Sequence, residues 1–418
     1  MDVEARALSA QSVARRVRWN SIWLLLARLI TQGALILSTV LIARALGVVG
    51  FGEYAFVAAL IALGNVATTF GTDTLLIREV ARDRRDKAGL AGAAVWLQLA
   101  LSFSWLIVVV VLSAGDRSSA VLPAVLIYSL SLIPLAFFTV YTAVLRAHEC
   151  MAVYLIISAI VAVAQLIGIW AILHIDRSLV ALVLVLDGVQ LLAALAAALA
   201  CHRALPMFRF RWQIDQAQVM HVVRVAWPFA LLGALAVIYQ RLGVLMLSAA
   251  GTAIETGWYA AASRVIEPVK ILHFAILGAL LPALAHLTTT SDQSLLATRL
   301  FRRSWRFLLT VSGLVTFALV ILAAPLISLL FGVAYAPAIP LVQILALSLI
   351  PYTFSAAWSV RRVTQGQERR VTVALTVSLA VAFLLNLWLI PLYGANGAAL
   401  TVVLGESVFA MMLLAWRH

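Results

Sequence analysis

Residues 257–287, GWYAAASRVIEPVKILHFAILGALLPALAHL, form an apolar run longer than the ~20 residues that cross a bilayer, yet the run carries Arg264, Glu267 and Lys270. Each of those side chains at the centre of a spanning helix costs roughly 2.5–3.5 kcal/mol, so a helix holding three must turn them away from lipid. Their i, i+3, i+6 spacing permits this. They share one stripe, continued by His273, while Val265, Ile266, Val269, Ile271 and Leu272 cover the remaining surface. The segment reads as a transmembrane helix forming one wall of a hydrated cavity. Pro268, beside Glu267, removes a backbone donor and is a candidate hinge or fixed bend.

The rest of the chain is of the same kind. Of 418 residues, 64% are hydrophobic and 11% charged, and the mean hydropathy is +1.06, which excludes a water-soluble globular protein and implies an all-α integral membrane protein. At about 20 apolar residues per crossing, twelve helices are expected. Six are 20–43, 51–76, 90–113, 120–145, 151–173 and 178–200; six more are 222–249, 256–287, 305–331, 337–360, 371–390 and 395–416. The domain organisation that follows is an N-terminal six-helix bundle over 1–205, a cytoplasmic linker over 206–221 and a C-terminal six-helix bundle over 222–418, packed around a central cavity.

The net charge of +13 and isoelectric point near 10.6 invite a nucleic-acid reading, which the placement of the charges excludes. On the twelve-helix map, 23 of the 30 Lys and Arg fall on one side, three (Arg44, Arg117, Arg177) on the other, and four within spans. That asymmetry puts both termini in the cytoplasm. The arm bearing Arg6, Arg15, Arg16 and Arg18 runs into a first apolar segment too long for a cleaved signal, so that segment is expected to remain as an anchor.

Two halves are also visible as a repeat. Arg18 precedes the first span and Gly52-Glu53-Tyr54-Ala55 opens the second; 205 residues further on, Gly257-Trp258-Tyr259-Ala260 opens the eighth, and Arg224 precedes the seventh. With an even number of crossings per half, the copies run parallel, related by an axis along the membrane normal, and a substrate site is expected between them.

Arg28 stands about 12 Å into the first helix at 1.5 Å per residue, too deep for easy snorkelling, and Arg241 lies deep in the seventh. With Arg264 and Lys270 they make four intramembrane cations, expected to converge on one cavity with Glu267 as charge partner. That surplus suits a phosphate group and opposes a cationic drug. The structural alternative has Arg28 and Arg241 tying helices together through carbonyls or acids such as Asp187 and Glu406. Those two acids are the candidates for ion or proton coupling, while Asp73 reads as a tie to neighbouring arginines and Glu53 and Glu255 as outer-interface groups. Cys150, Cys201 and seven scattered histidines give no disulfide framework or metal spacing, so no metal or cofactor is expected. No set of catalytic residues can be assembled, which points to a transporter and away from an enzyme.

The stretches ARLITQGALILSTVLIARALGVVGFGEYAF (27–56), FGTDTLLIREVAR (70–82), VAWPF (225–229), ETGWYAAASRVIEPV (255–269), PLISLLFGVAYAPAIPLVQILAL (325–347) and LWLIPLYGANGAALTVVLGE (387–406) resemble, in their order, the polysaccharide-biosynthesis flippases of the multidrug/oligosaccharidyl-lipid/polysaccharide (MOP) exporter superfamily. The resemblance implies a V-shaped pair of bundles that moves a polyprenyl-pyrophosphate-linked oligosaccharide across the bacterial cytoplasmic membrane by alternating access. It implies that Arg28 and Arg264 match arginines of the pattern. Helices 1, 2, 7 and 8 would line the cavity. A monomer is expected, with polysaccharide polymerase or glycosyltransferase partners and no nucleic acid. One departure stands out: where relatives often read Arg-x-Asp, this chain reads Arg241-Leu242-Gly243, which leaves Arg241 without a local acid. The rivals are a drug or cation antiporter of the same superfamily and a membrane-embedded glycosyltransferase or polymerase. The short outer loops speak against the second.

Overall fold

The computed structural model describes residues 2–82, 88–113, 121–206, 216–288 and 294–415, and among them there is no strand. In order they form α1 (Asp2–Thr69), α2 (Thr72–Arg82), α3 (Ala88–Ser113), α4 (Leu122–Leu130), α5 (Leu132–Ala147), α6 (Met151–Ile175) and α7 (Leu179–Ala204). These are followed by α8 (Gln216–Ala250), α9 (Ala253–Thr288), α10 (Ser294–Leu330), α11 (Ala338–Leu347), α12 (Leu349–Thr364) and α13 (Glu368–Ala415), with a 3-10 turn at Val333–Tyr335.

Nine helical stretches among the described residues are long and apolar enough to cross a membrane. Two of them are double length. Ile22–Val80 has 59 residues and Glu368–Ala415 has 48; at 1.5 Å per residue, these run about 88 and 72 Å against a hydrocarbon core of ~30 Å. Each is broken where glycine adopts a backbone that other residues avoid, Gly47 (φ 70°, ψ −173°) in α1 and Gly394 (φ 54°, ψ −131°) in α13. The α9 helix is not among those nine; its 36 residues carry Glu255, Arg264, Glu267 and Lys270, and its length suffices for one further crossing. Counted as crossings, these are the twelve expected from the sequence, and the chain is a multi-pass all-α membrane protein. Large apolar side chains such as Leu314 (69% exposed), Phe317 (66%) and Leu384 (64%) face outward, as lipid contact requires.

The chain divides into two compact units, one made of Met1–Ala45 with Leu60–Ala234, the other of Leu46–Ala59 with Leu235–His418. This partition differs from the expected 1–205 and 222–418 bundles in two segments: 46–59 pack with the second unit and 222–234 with the first. Of the expected linker, 207–215 lie outside the described residues, and Gln216–His221 are the first turns of α8.

In the first unit, Leu76, Ala91, Ala94, Val95, Val140, Val144 and Ala197 form a buried cluster joining α2, α3, α5 and α7. Polar groups inside it are paired: Gln98 donates to Thr72 Oγ1 at 2.6 Å and accepts from Thr139 Oγ1 at 2.8 Å. In the second unit, Phe301, Leu308, Ala357, Trp358, Ala374 and Leu413 join α10, α12 and α13. Phe51, Phe331 and Tyr335 stack together at ring distances of 5.5–6.3 Å.

The internal repeat has a structural expression inside the second unit. A Cβ placed on Gly52 would overlap the carbonyl of Ala253 and stand 2.9 Å from Gly257 N; one placed on Gly257 would overlap the carbonyl of Val48. Shifted by 205 residues, Val48 becomes Ala253 and Gly52 becomes Gly257. The two copies of the motif therefore cross each other backbone to backbone, in symmetric register, at their glycines. A second repeat joins α4 to α5 and α11 to α12: Leu-Ser-Leu-Ile-Pro occurs at 130–134 and at 347–351. In both, proline removes the donor for the residue four earlier, and the serine hydroxyl bonds back to a carbonyl at 2.6 Å (Ser131 to Tyr128, Ser348 to Leu345). A serine from the preceding long helix reaches the following leucine carbonyl each time, Ser102 to Leu132 at 3.3 Å and Ser312 to Leu349 at 3.0 Å.

Candidate functional site: a carboxylate shared by two guanidiniums

The α8 and α9 helices of the second unit meet at a charged contact. Arg241 Nη1 donates to Glu267 Oε1 at 3.1 Å, and Arg264 Nη1 donates to Glu267 Oε2 at 2.8 Å. A single carboxylate thus serves two cations, each through one oxygen, and the cluster keeps a positive surplus. The side chains are 23%, 18% and 32% exposed for Arg241, Arg264 and Glu267, so the acid is the most accessible of the three. Together they line a cavity of about 40 Å³, whose other walls are Ala55, Ala58 and Ala59 of α1, with Val244, Ala260 and Ser263. At about 10–15 Å³ per water, the chamber has room for roughly three waters. Of the charged stripe on α9, Arg264 and Glu267 line this cavity.

Arg241 has no acid at position 243, and its partner is instead Glu267 on the next helix. Gly243 has a different role: a Cβ there would stand 2.9 Å from Cζ of the buried Tyr259, so the absent side chain makes room for that phenol. Tyr54, buried on the other copy of the motif, lies in the field of both Arg264 and Arg241.

Lys270 is not part of this cluster. Its Nζ sits 3.0 Å from Glu406 Oε1 on α13 and 4.8 Å above the ring of Tyr352. Glu406, 3% exposed, also accepts from Ser355 Oγ at 3.3 Å, and the Tyr352 hydroxyl donates to the Lys270 carbonyl at 3.2 Å. This second pair ties α9, α12 and α13 together, with Lys270, and neither Arg28 nor Arg241, as the cation on Glu406. Two of the four intramembrane cations, Arg241 and Arg264, thus share one cavity, and it lies within the second unit. Arg28 belongs to the first unit, is exposed, and has no ion-pair partner among the described residues. Asp187 on α7 keeps a buried Oδ1 without a hydrogen-bond partner among the described residues. The α9 helix runs unbroken through Pro268, which withholds the N–H that would otherwise bond the Arg264 carbonyl. The side chain of His273 lies outside the described residues.

The cavity's alanine wall was not anticipated. Its signal was available as Ala55, Ala58 and Ala59 on one face of the span that opens with the first copy of the repeat.

The family model for polysaccharide biosynthesis proteins matches residues 17–288, a stretch that holds Arg241, Arg264, Glu267 and both copies of the glycine motif. The chain belongs to that family. No curated protein matches this family member in sequence. Among solved structures it is similar to the lipid II flippase MurJ in an inward closed conformation, at TM-score 0.77 and 14% identity over 94% of this chain and 87% of that one. It is also similar to an inward-facing multidrug resistance MATE family transporter of the MOP superfamily, at TM-score 0.68 and 16% identity over 94% and 97%. A third is a MOP superfamily transporter from Pyrococcus furiosus, described as having a binding pocket of reversed polarity, at TM-score 0.64 and 14% identity over 96% and 94%. The fold of this polysaccharide biosynthesis protein is that of MOP superfamily transporters.

Proposed function

We propose that the protein is a flippase that carries a polyprenyl-pyrophosphate-linked oligosaccharide across the bacterial cytoplasmic membrane by alternating access, with both termini in the cytoplasm. Arg241 and Arg264 are its pyrophosphate contacts. The observation that carries this reading is the pair of guanidiniums beside a cavity with one carboxylate between them. Paired planar forks match the oxygens of a phosphate, and a partly desolvated setting strengthens each contact. The same surplus repels a cationic drug. Membership in a polysaccharide biosynthesis family and likeness to a lipid II flippase support the lipid-linked substrate class. In this reading Arg28 is a further candidate contact, while Lys270 is held in a structural pair.

The test is reconstitution in liposomes with a fluorescent polyprenyl-pyrophosphate oligosaccharide, alongside a cationic dye. The lipid-linked sugar should cross and the dye should not. Arg264→Ala should abolish crossing while the protein still inserts. Arg264→Lys should lose most of it, because an ammonium lacks the guanidinium fork. Transport of the dye without the sugar would overturn the reading.

A further inference from the structure

Glu267 occupies the place where a phosphate would bind. Its two oxygens lie 3.1 and 2.8 Å from the Nη1 atoms of Arg241 and Arg264, the geometry that two oxygens of one phosphate would adopt against the same pair. A phosphate that takes the same two Nη1 donors meets the carboxylate already there, and like charges at that spacing in a partly desolvated site repel. To use those donors the substrate must replace the carboxylate.

Resting on the reading of Arg241 and Arg264 as pyrophosphate contacts, we propose that Glu267 is a built-in competitor for the anion site: it holds both guanidiniums in the empty protein, is displaced by the pyrophosphate, and returns to expel it. Three observations support a displaceable role over a fixed one. Glu267 is the most exposed member of the cluster, at 32% against 23% and 18%, and it borders the cavity, so it has space to swing into. Its neighbour Pro268 removes one hydrogen bond from the helical turn that carries Arg264 and Glu267, leaving that turn less firmly held. The second pair on the same helix is built differently: Glu406 is 3% exposed and held by both Lys270 and Ser355, as a permanent tie would be.

The competitor makes a prediction opposite in sign to a structural Glu267. If the acid merely poses the arginines, removing its charge weakens anion binding. If it competes, removing its charge tightens binding and slows release, lowering both the half-saturating concentration and the maximal rate. Calorimetric titration of the purified full chain with inorganic pyrophosphate separates the two. The wild type should bind, Arg264→Ala should not, and Glu267→Gln should bind at least about tenfold more tightly than the wild type. In liposomes, Glu267→Gln should saturate at lower concentrations of the lipid-linked oligosaccharide and turn over more slowly.

Weaker or unchanged binding by Glu267→Gln, with wild-type binding still lost in Arg264→Ala, overturns the competitor and leaves the pyrophosphate contacts standing. Failure of wild type and Glu267→Gln alike to bind pyrophosphate overturns both. Should Glu267→Gln fail to accumulate, Glu267→Asp supplies the measurement: one methylene shorter, its carboxylate is drawn back from the two guanidiniums, and it should also bind more tightly than the wild type.

Discussion

Replacing Gly257 by alanine should destabilise the protein, although alanine is the better helix former. The added methyl carbon would stand 3.1 Å from Val48 Cγ1 and 3.2 Å from the Val48 carbonyl carbon, with the carbonyl oxygen closer still. Since carbon contacts are ordinarily about 3.5–4.0 Å and the obstacle is backbone that cannot rotate away, α9 and the 46–59 segment must part. Overpacking of this kind costs roughly 1–3 kcal/mol, and the gain in helix propensity returns only about 0.5–1 kcal/mol. The net loss is about 1–2 kcal/mol, and Gly52→Ala, which meets the Ala253 carbonyl, should do the same. The double variant should cost less than the sum, because helices already parted by the first methyl accommodate the second. Thermal unfolding of the purified protein in detergent reads this directly. Gly313, on α10 with nothing within 4 Å of its would-be Cβ, provides the control: Gly313→Ala should raise the midpoint. A rise on Gly257→Ala comparable to that on Gly313→Ala would refute the close backbone crossing.

Two further outcomes test the second ion pair and the topology. Lys270→Ala should cost about 3–5 kcal/mol of stability in the same unfolding assay, because it strands a carboxylate that is 3% exposed, and adding Glu406→Gln should restore most of the loss. Reporter fusions after Lys87 and near Arg209 should read cytoplasmic, and those at Thr252 and Asn396 should read external, as the one-sided distribution of Lys and Arg requires; a periplasmic signal after Lys87 would break the map.

What the sequence made legible follows the length scale of the interaction. The spans were readable because crossing a bilayer takes about 20 apolar residues in a row, a property of each segment by itself. Even so, Gly47 and Gly394 act as breaks in nearly continuous helices, and the pattern alone suggested separate rods. The first repeat was visible through Gly52 and Gly257, yet the reason for those glycines was not, because the obstacle each avoids is the other copy's backbone. The Leu-Ser-Leu-Ile-Pro repeat passed unnoticed because its 217-residue offset differs from the 205 of the first, so no single shift aligns both.

The site shows the same division between sign and pairing. A net cationic α9 follows from counting Arg264, Glu267 and Lys270 on one face, and this much needs only helical periodicity. Which cation pairs with which acid is decided by helices that arrive from elsewhere in the chain. Arg241 has no local acid, since position 243 is glycine, and Glu267 reaches it from 26 residues on. Lys270 reads as a substrate contact from its own helix alone, because its partner Glu406 lies 136 residues later. On one helix, then, two charged contacts a turn apart differ in kind: Lys270–Glu406 is balanced and its acid is buried, while in Arg241–Glu267–Arg264 the acid is part-exposed, borders the cavity and serves two cations. A buried and balanced pair costs little to keep and much to break, which suits a fastener. An unbalanced cluster with an accessible acid can exchange one anion for another, and that exchange is what the proposed carriage of a phosphate requires.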